Sequence, residues 1–397
     1  MARNDFWTLH GKKLLVAGVI FSFLGAWLFG ELTLSTDVET YLPETMPEAS
    51  SFELISSRPA DNQYLFSALA NGSQIGYITA GQGQGYGGPM LVTAAWDNDG
   101  TILNILVPED QETPSWYARI FDNDYFSQYI GRTFTDPFTL GEDIDSVAGA
   151  TRSARGIAQG VYDGRLLLAE HLGQPFVGQK EQIKLGPPEY LLLIGLSLVV
   201  ALRIIPGLRK MRWPRNAMLW FGLIIFGIAL KGMLSLINFV VFPIGYAPSP
   251  VTNLYLYILV FGIIGLALIF AKNFWCFWIC PFCALQEGAY FIAGGKVRPV
   301  TRRQLALRNT RYVILWAVVI LVLVFRQPQL SVFEPWNTLF SLEGNLVQWL
   351  LVVAMLGIAM FIHDFWCHYL CPVGATMDVI LKIRAWFAGI FGRLTAR

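Results

Sequence analysis

The sequence predicts a membrane protein: a six-helix transmembrane bundle with an α+β domain inserted after the first helix. Three observations predict it. Of 397 residues, 54% are hydrophobic and 14% charged, which is more apolar surface than a compact soluble core absorbs. Six apolar segments, at 14–33, 189–206, 217–243, 253–275, 312–327 and 346–363, approach the roughly 20 helical residues that cross a hydrocarbon core. Finally, Lys and Arg are concentrated in one set of connections.

The first segment follows Arg3, Lys12 and Lys13, and no small-x-small cleavage site closes it before Glu31. It reads as an uncleaved anchor spanning residues 1–33 rather than a leader. Residues 34–187 form the inserted domain, with strand-like runs such as Ile102–Val107 and a glycine-rich turn at Gly81–Gly88. Residues 188–397 carry the other five spans. Arg203, Arg209, Lys210, Arg212 and Arg215 cluster around the end of the second span and beyond it. Lys296, Arg298, Arg302, Arg303, Arg308 and Arg311 lie between the fourth and fifth, and Lys382, Arg384, Arg393 and Arg397 follow the last. The opposite loops, 244–252 and 328–344, contain neither Lys nor Arg. By the positive-inside rule both termini are cytoplasmic and the inserted domain is external, which in a bacterium means the periplasmic side of the inner membrane.

A net charge of +1, with basic residues in short runs between apolar segments, excludes nucleic acid as a partner and leaves the lipid bilayer. No cysteine precedes residue 276, so the inserted domain has no disulfide framework.

In the run Asp145-Ser-Val-Ala-Gly149-Ala150-Thr151-Arg-Ser153, a hydroxyl residue stands just before a helical pattern at Ile157, Ala158, Val161, Leu166 and Leu167. Unpaired amides and the helix dipole favour a phosphate at such a start, and small residues allow a bulky group to approach. The alternative is that Thr151 and Ser153 are ordinary caps.

The cysteines form a duplication. Asn273-Phe-Trp-Cys276-Phe-Trp-Ile-Cys280-Pro281-Phe-Cys283-Ala recurs 91 residues on as Asp364-Phe-Trp-Cys367-His-Tyr-Leu-Cys371-Pro372-Val-Gly-Ala. Each copy ends an even-numbered span, hence at the cytoplasmic side. On a helix, positions i and i+4 share a face, so each pair presents two thiolates to one centre. The prolines break the ladder and turn amides toward sulfur. Cys276, Cys280, Cys367 and Cys371 are therefore candidate ligands for an iron–sulfur centre or a thiolate metal such as Cu(I), with Cys283 a fifth thiol or a small apolar residue. Buried structural cysteines and disulfides are the bland alternatives. Phe274, Trp275, Trp278, Phe365, Trp366 and Tyr369 form an interfacial belt or a quinone contact. His363 and His368 flank Cys367 as candidate metal or quinone groups, or as interfacial histidines. Lys231, near the middle of the third span, marks a functional position as a counter-charge to a cofactor or part of a quinone site.

Asp145 through Ser153 resembles the flavinylation motif of the FMN-binding domain family, found in subunits of Rnf and Na⁺-translocating quinone reductase complexes. Gly85-Tyr86-Gly87-Gly88-Pro89, Trp96-Asp97-Asn98-Asp99-Gly100 and Glu112-Thr113-Pro114 match the rest of that signature in order. The resemblance implies FMN esterified to Thr151 by a flavin transferase, with Asp145, Gly149, Ala150, Ser153, Glu112 and Thr113 around it. Ala148 stands where relatives often have Ser or Thr.

The whole arrangement resembles the NosR-type proteins of nitrous oxide respiration and, in its length, the PceC/RdhC-type proteins of organohalide respiration. NosR-type proteins usually continue into a ferredoxin-like domain that is not expected here. The resemblance implies electron transfer from the quinol pool or a cytoplasmic donor, through the cysteine centre, to FMN and on to a periplasmic reductase or electron carrier. A metal-loading assembly factor for a periplasmic metalloenzyme and a flavin-based membrane regulator are the alternatives.

Overall fold

The computed structural model describes residues 3–394 apart from 34–37, 60–61, 86, 111, 113, 149, 175–182, 184, 206–212, 252, 296–306 and 343. The chain opens with one long helix, α1 (Arg3–Thr33). An antiparallel meander follows, its strands in sequence order: β1 (Ser51–Arg58), β2 (Gln63–Ala70), β3 (Ser73–Gln84), β4 (Pro89–Trp96) and β5 (Ile102–Glu109). Two helices longer than five residues complete the described part of the domain, α2 (Pro114–Asp122) and α3 (Thr151–His171).

Both faces of the sheet are covered. Helix α3 buries Ala154, Ile157, Ala158, Val161, Leu167 and Leu168 against one face. Val38, Leu42 and Met46 pack on the other, against Phe66, Ile78, Ala80 and Leu91. Gly81 and Gly83, expected in a turn, lie inside β3. They are there because the helix backbone touches the strand: a Cβ on Gly83 would sit 1.7 Å from the Gly156 carbonyl oxygen. Only a strand and a helix both without side chains at the crossing approach so closely. The turn itself begins at Gly85, whose N–H donates to the Gly88 carbonyl at 2.9 Å.

The α-helices of seven residues or more that follow among the described residues are α4 (Pro187–Ile204), α5 (Trp213–Gly222), α6 (Leu254–Phe270), α7 (Pro281–Ile292), α8 (Thr310–Phe325), α9 (Pro335–Ser341), α10 (Leu346–Ala359) and α11 (Pro372–Leu394). Among the described residues, the Lys13–Thr33 part of α1 and α4 are each long and apolar enough to cross a membrane unaided. Helices α9 and α10 make a third candidate as a pair bent by 105°, and α6 and α8 are shorter apolar helices. The first helix is packed rather than merely tethered: Trp316 Nε1 on α8 donates to Ser22 Oγ at 2.9 Å, and Arg326 pairs with Glu31.

The third expected span, 217–243, is not one helix. Helix α5 continues as a π-helical stretch, Leu223–Ala229, and then breaks. Lys231 has φ +49° and a non-helical run follows to Ser235 before a single turn at Ile237–Val240. Glu334 sustains the break: its carboxylate accepts from the Leu236 amide at 2.9 Å and from the Ser235 hydroxyl. Lys231 is thus exposed at a helix end rather than embedded in the middle of a span.

Candidate flavin and iron–sulfur sites

Thr151 is the first residue of α3. The N-cap is Ala150, and no side chain caps the helix. The Thr151 hydroxyl instead donates back to the Val147 carbonyl at 3.2 Å, and the residue is exposed. Thr151 is therefore not serving as an N-cap.

The start of α3 is held from behind. Ser153 Oγ donates to Glu112 Oε2 at 2.6 Å, while Glu112 Oε1 accepts from the Gly87 amide at 3.1 Å. Both side chains are buried, so one carboxylate fastens the helix start to the β3–β4 turn. Tyr125 adds a second hold, its hydroxyl 2.7 Å from the Ala154 carbonyl and 2.8 Å from the Tyr129 hydroxyl.

Three motif segments that are far apart in sequence thus meet at one helix terminus. Trp96–Gly100 has another task, the β4–β5 turn, where Asp97 Oδ1 accepts from the amides of Asp99 and Thr101. Asp145 is exposed, with its own amide bonded to Gln128 at 2.7 Å. Gly149 and Thr113 lie outside the described residues.

Ala150, Thr151 and Ser153 line a cavity of about 580 Å³ whose far wall comes from the helical part of the chain: Lys231, Ser235, Asn238, Tyr255 and Trp336. Gln84, at the end of β3, donates to the Tyr246 carbonyl across this junction at 3.0 Å. Arg152 and Arg155 line the same cavity. An exposed hydroxyl at a helix N-terminus flanked by two guanidiniums fits the phosphate of an FMN.

The five cysteines line a second cavity, of about 790 Å³. All are free thiols. The pairs do not sit on one continuous α-helix. Cys276 lies in a π-helical turn, Trp275–Ile279, and Cys280 is the N-cap of α7. Cys367 lies in a short helix, Phe365–Tyr369, and Cys371 immediately precedes α11.

The two copies are alike in detail. The Cys280 amide donates to the Trp275 carbonyl at 2.9 Å and the Cys371 amide to that of Trp366 at 2.8 Å. Each proline opens the next helix, where its missing N–H costs nothing. Amides of the first turn then reach back to sulfur: Gly374 N–H to Cys371 Sγ at 3.3 Å, and the Cys283 N–H to Cys280. Free thiols, amide donors to sulfur and a shared cavity fit an iron–sulfur cluster.

Several groups in or beside the cavity carry no signal in the motif. Gln286 is fully buried and joins the two copies, donating to Cys367 Sγ at 3.1 Å and accepting from the Trp366 amide at 2.9 Å. Arg215 pairs with Glu287, which itself accepts from Cys283 Sγ at 3.6 Å. A polar Gln-Glu pair in an apolar run is the available clue. His363 Nδ1 lies 3.0 Å from Asp364 Oδ2, and His368 Nδ1 meets the Asp364 carbonyl at 3.0 Å. Both histidines line the cavity.

Residues 85–164 match the FMN-binding domain family, and residues 252–299 and 346–393 match the 4Fe-4S binding domain family. The chain is similar to the NosR-type proteins, with an FMN-binding domain joined to a 4Fe-4S binding domain. It is 28% identical over 220 residues to protein NirI of Paracoccus denitrificans, covering 48% of this chain and 32% of that one. Regulatory protein NosR of Pseudomonas aeruginosa is 28% identical over 211 residues, 49% of this chain and 29% of the relative. The chain thus spans about a third of the length of these NosR-type relatives. A component of the ion-translocating oxidoreductase complex of Cereibacter sphaeroides is 28% identical over 142 residues, 33% of this chain and 65% of the relative. FMN and an iron–sulfur cluster are the cofactors these domains bind.

Proposed function

We propose that the chain relays electrons from the quinol pool, or from a cytoplasmic donor, across the bacterial inner membrane to FMN esterified to Thr151 and on to a periplasmic reductase or electron carrier. One observation carries this reading: Trp336 lines both cavities. The thiol site and the Thr151 site share an indole as a wall. Helix α9, from a connection expected on the outer side, brings it there.

When bound, the cluster supplies one-electron chemistry, and FMN couples one-electron to two-electron chemistry. The residues do the holding. Cys276, Cys280, Cys367 and Cys371 are the proposed ligands, with Cys283 as a fifth thiol beside them, and the Thr151 hydroxyl forms the phosphoester under the action of a flavin transferase. Ala150, Ser153 and Glu112 set the position of Thr151, and Asp145, Gly149 and Thr113 belong to the same motif. The half-buried Arg215–Glu287 pair stands in the wall around the thiols, and Gln286 behind it donates to Cys367 Sγ.

The basic residues at the ends of the second, fourth and last apolar segments support six membrane segments with both termini cytoplasmic and the sheet domain outside. On this reading residues 1–33 are the anchor, 34–187 the FMN domain and 188–397 the redox bundle.

The purified full chain tests it. Thr151→Ala abolishes flavin fluorescence in denaturing gels, whereas Cys280→Ala and Cys371→Ala retain it but stop quinol-dependent flavin reduction. Undiminished reduction in the cysteine variants would take the thiols off the route. Copper without acid-labile sulfide in the parent chain would favour an assembly factor instead.

A further inference from the structure

The interrupted third apolar segment packs Met233, Leu234, Leu236 and Ile237 into the core, yet leaves Lys231 exposed at the break. Its break costs backbone hydrogen bonds, needs a buried carboxylate, Glu334, to satisfy the freed Leu236 amide, and holds Lys231 at φ +49°, a region that costs a non-glycine residue energy. Such strain is retained where the surrounding structure uses it.

What the break achieves is placement. It carries Lys231 into the lining of the cavity that also holds Thr151. Lys231 has no ion-pair or hydrogen-bond partner among the described residues. The cavity is cationic: Arg152, Arg155 and Lys231 face one carboxylate, Glu189, and that carboxylate accepts from the Gly186 amide at 2.9 Å as part of the start of α4. The two arginines flank the hydroxyl on the outer-domain side, where a phosphate ester is accounted for. Lys231 stands on the membrane-domain side and is left over. A further donor without an acceptor is nearby, the buried Trp336 indole N–H, on a residue 3% exposed that lines the same cavity.

We infer that the membrane domain builds the second half of the flavin site: Lys231, set by the break, is the positioning residue whose charge faces the isoalloxazine ring of FMN held at Thr151. This rests on the attachment reading above. A cation beside the ring favours the negative charge that the ring gains on reduction, so the site biases FMN toward its reduced form. An FMN held at Thr151 would have Arg152 and Arg155 at its phosphate end and Lys231, Tyr255 and Trp336 on the opposite wall of the cavity.

The test uses the full chain in detergent, with attachment read by fluorescence in denaturing gels and the flavin midpoint read by spectroelectrochemical titration. Lys231→Gln keeps the covalent fluorescence and lowers the midpoint, so that the reduced-to-oxidised ratio at a fixed potential falls roughly tenfold. Lys231→Gly does the same while relieving the positive φ, and melts no earlier than the parent. Lys231→Arg, which keeps the charge, restores the parent midpoint. Covalent fluorescence with an unchanged midpoint in Lys231→Gln and Lys231→Gly would overturn this inference alone, and so would a midpoint lowered equally in Lys231→Arg. A parent chain without covalent fluorescence would instead remove the Thr151 reading, and this inference with it.

Discussion

Ser153 and Glu112 meet at 2.6 Å inside the sheet domain, a buried hydroxyl donating to a buried carboxylate. This contact, with the Gly87 amide on the other carboxylate oxygen, fixes where Thr151 stands. Removing the carboxylate leaves two donors without an acceptor. Glu112→Ala is expected to cost about 2–4 kcal/mol and to lower the yield of covalent flavin, while Ser153→Ala costs about 1–2 kcal/mol. Thermal melts of the full chain and gel fluorescence measure both. Equal melting temperatures for Glu112→Ala and the parent would contradict the account.

The crossing of α3 over β3 tolerates no side chain. Gly83→Ala drives a methyl to 1.7 Å from the Gly156 carbonyl oxygen, so α3 must lift from the sheet at a cost of about 3 kcal/mol or more. Gly265→Ala, with nothing within 4 Å of its Cβ and inside helix α6, is the control and is neutral or stabilising by up to about 1 kcal/mol. Comparing the two melts checks the prediction.

Gln286 is the one side chain that bonds to both a thiol and the backbone of the second cysteine copy among the described residues. Gln286→Leu preserves bulk but strands the Trp366 amide, costing about 1–3 kcal/mol. Iron and acid-labile sulfide per chain are expected to fall in parallel with the melting temperature. A variant with full iron content and parent stability would show the bridge to be dispensable.

Burial pushes the phenols of Tyr125 and Tyr129 well above their usual range. The folded domain therefore keeps both protonated, whereas unfolded tyrosines ionise near pH ~10. Above that pH the unfolded state holds fewer protons, so stability is lost as pH rises, and is unaffected by these groups below it. Tyrosinate absorbance should stay incomplete on raising the pH until the domain unfolds. Full ionisation of a still-folded chain would refute the burial argument.

Local patterns reveal part of this. Thr151 at a helix start and the duplicated cysteines are legible because each depends on residues close in sequence. The break at Lys231 is not, because hydropathy counts apolar residues and says nothing of the Glu334 carboxylate, 98 positions from the Leu236 amide it satisfies. Gly81 and Gly83 mislead for a related reason: glycine signals a turn or a close crossing equally, and only the distant Gly156 decides. A spacing of four allows each cysteine pair a single helical face. The structure instead uses the seam between a short turn and a proline-started helix, where amides are free to meet sulfur. Gln286 gives no periodic signal, and the Gln286-Glu287 pair in an apolar run is the one sequence clue to it.

Helix α1 finds its seam far down the chain. Ser22 and Trp316 are 294 positions apart, and Glu31 awaits Arg326. At a synthesis rate of about 5–20 residues per second, the first helix is made roughly 15–60 s before its partner on α8 exists. Through that interval the sheet domain emerges and folds on a helix that has nothing yet to lean on. Birth order therefore gives the Thr151 hydroxyl an interval in which the far wall of its cavity, from Lys231 to Trp336, has not yet been made.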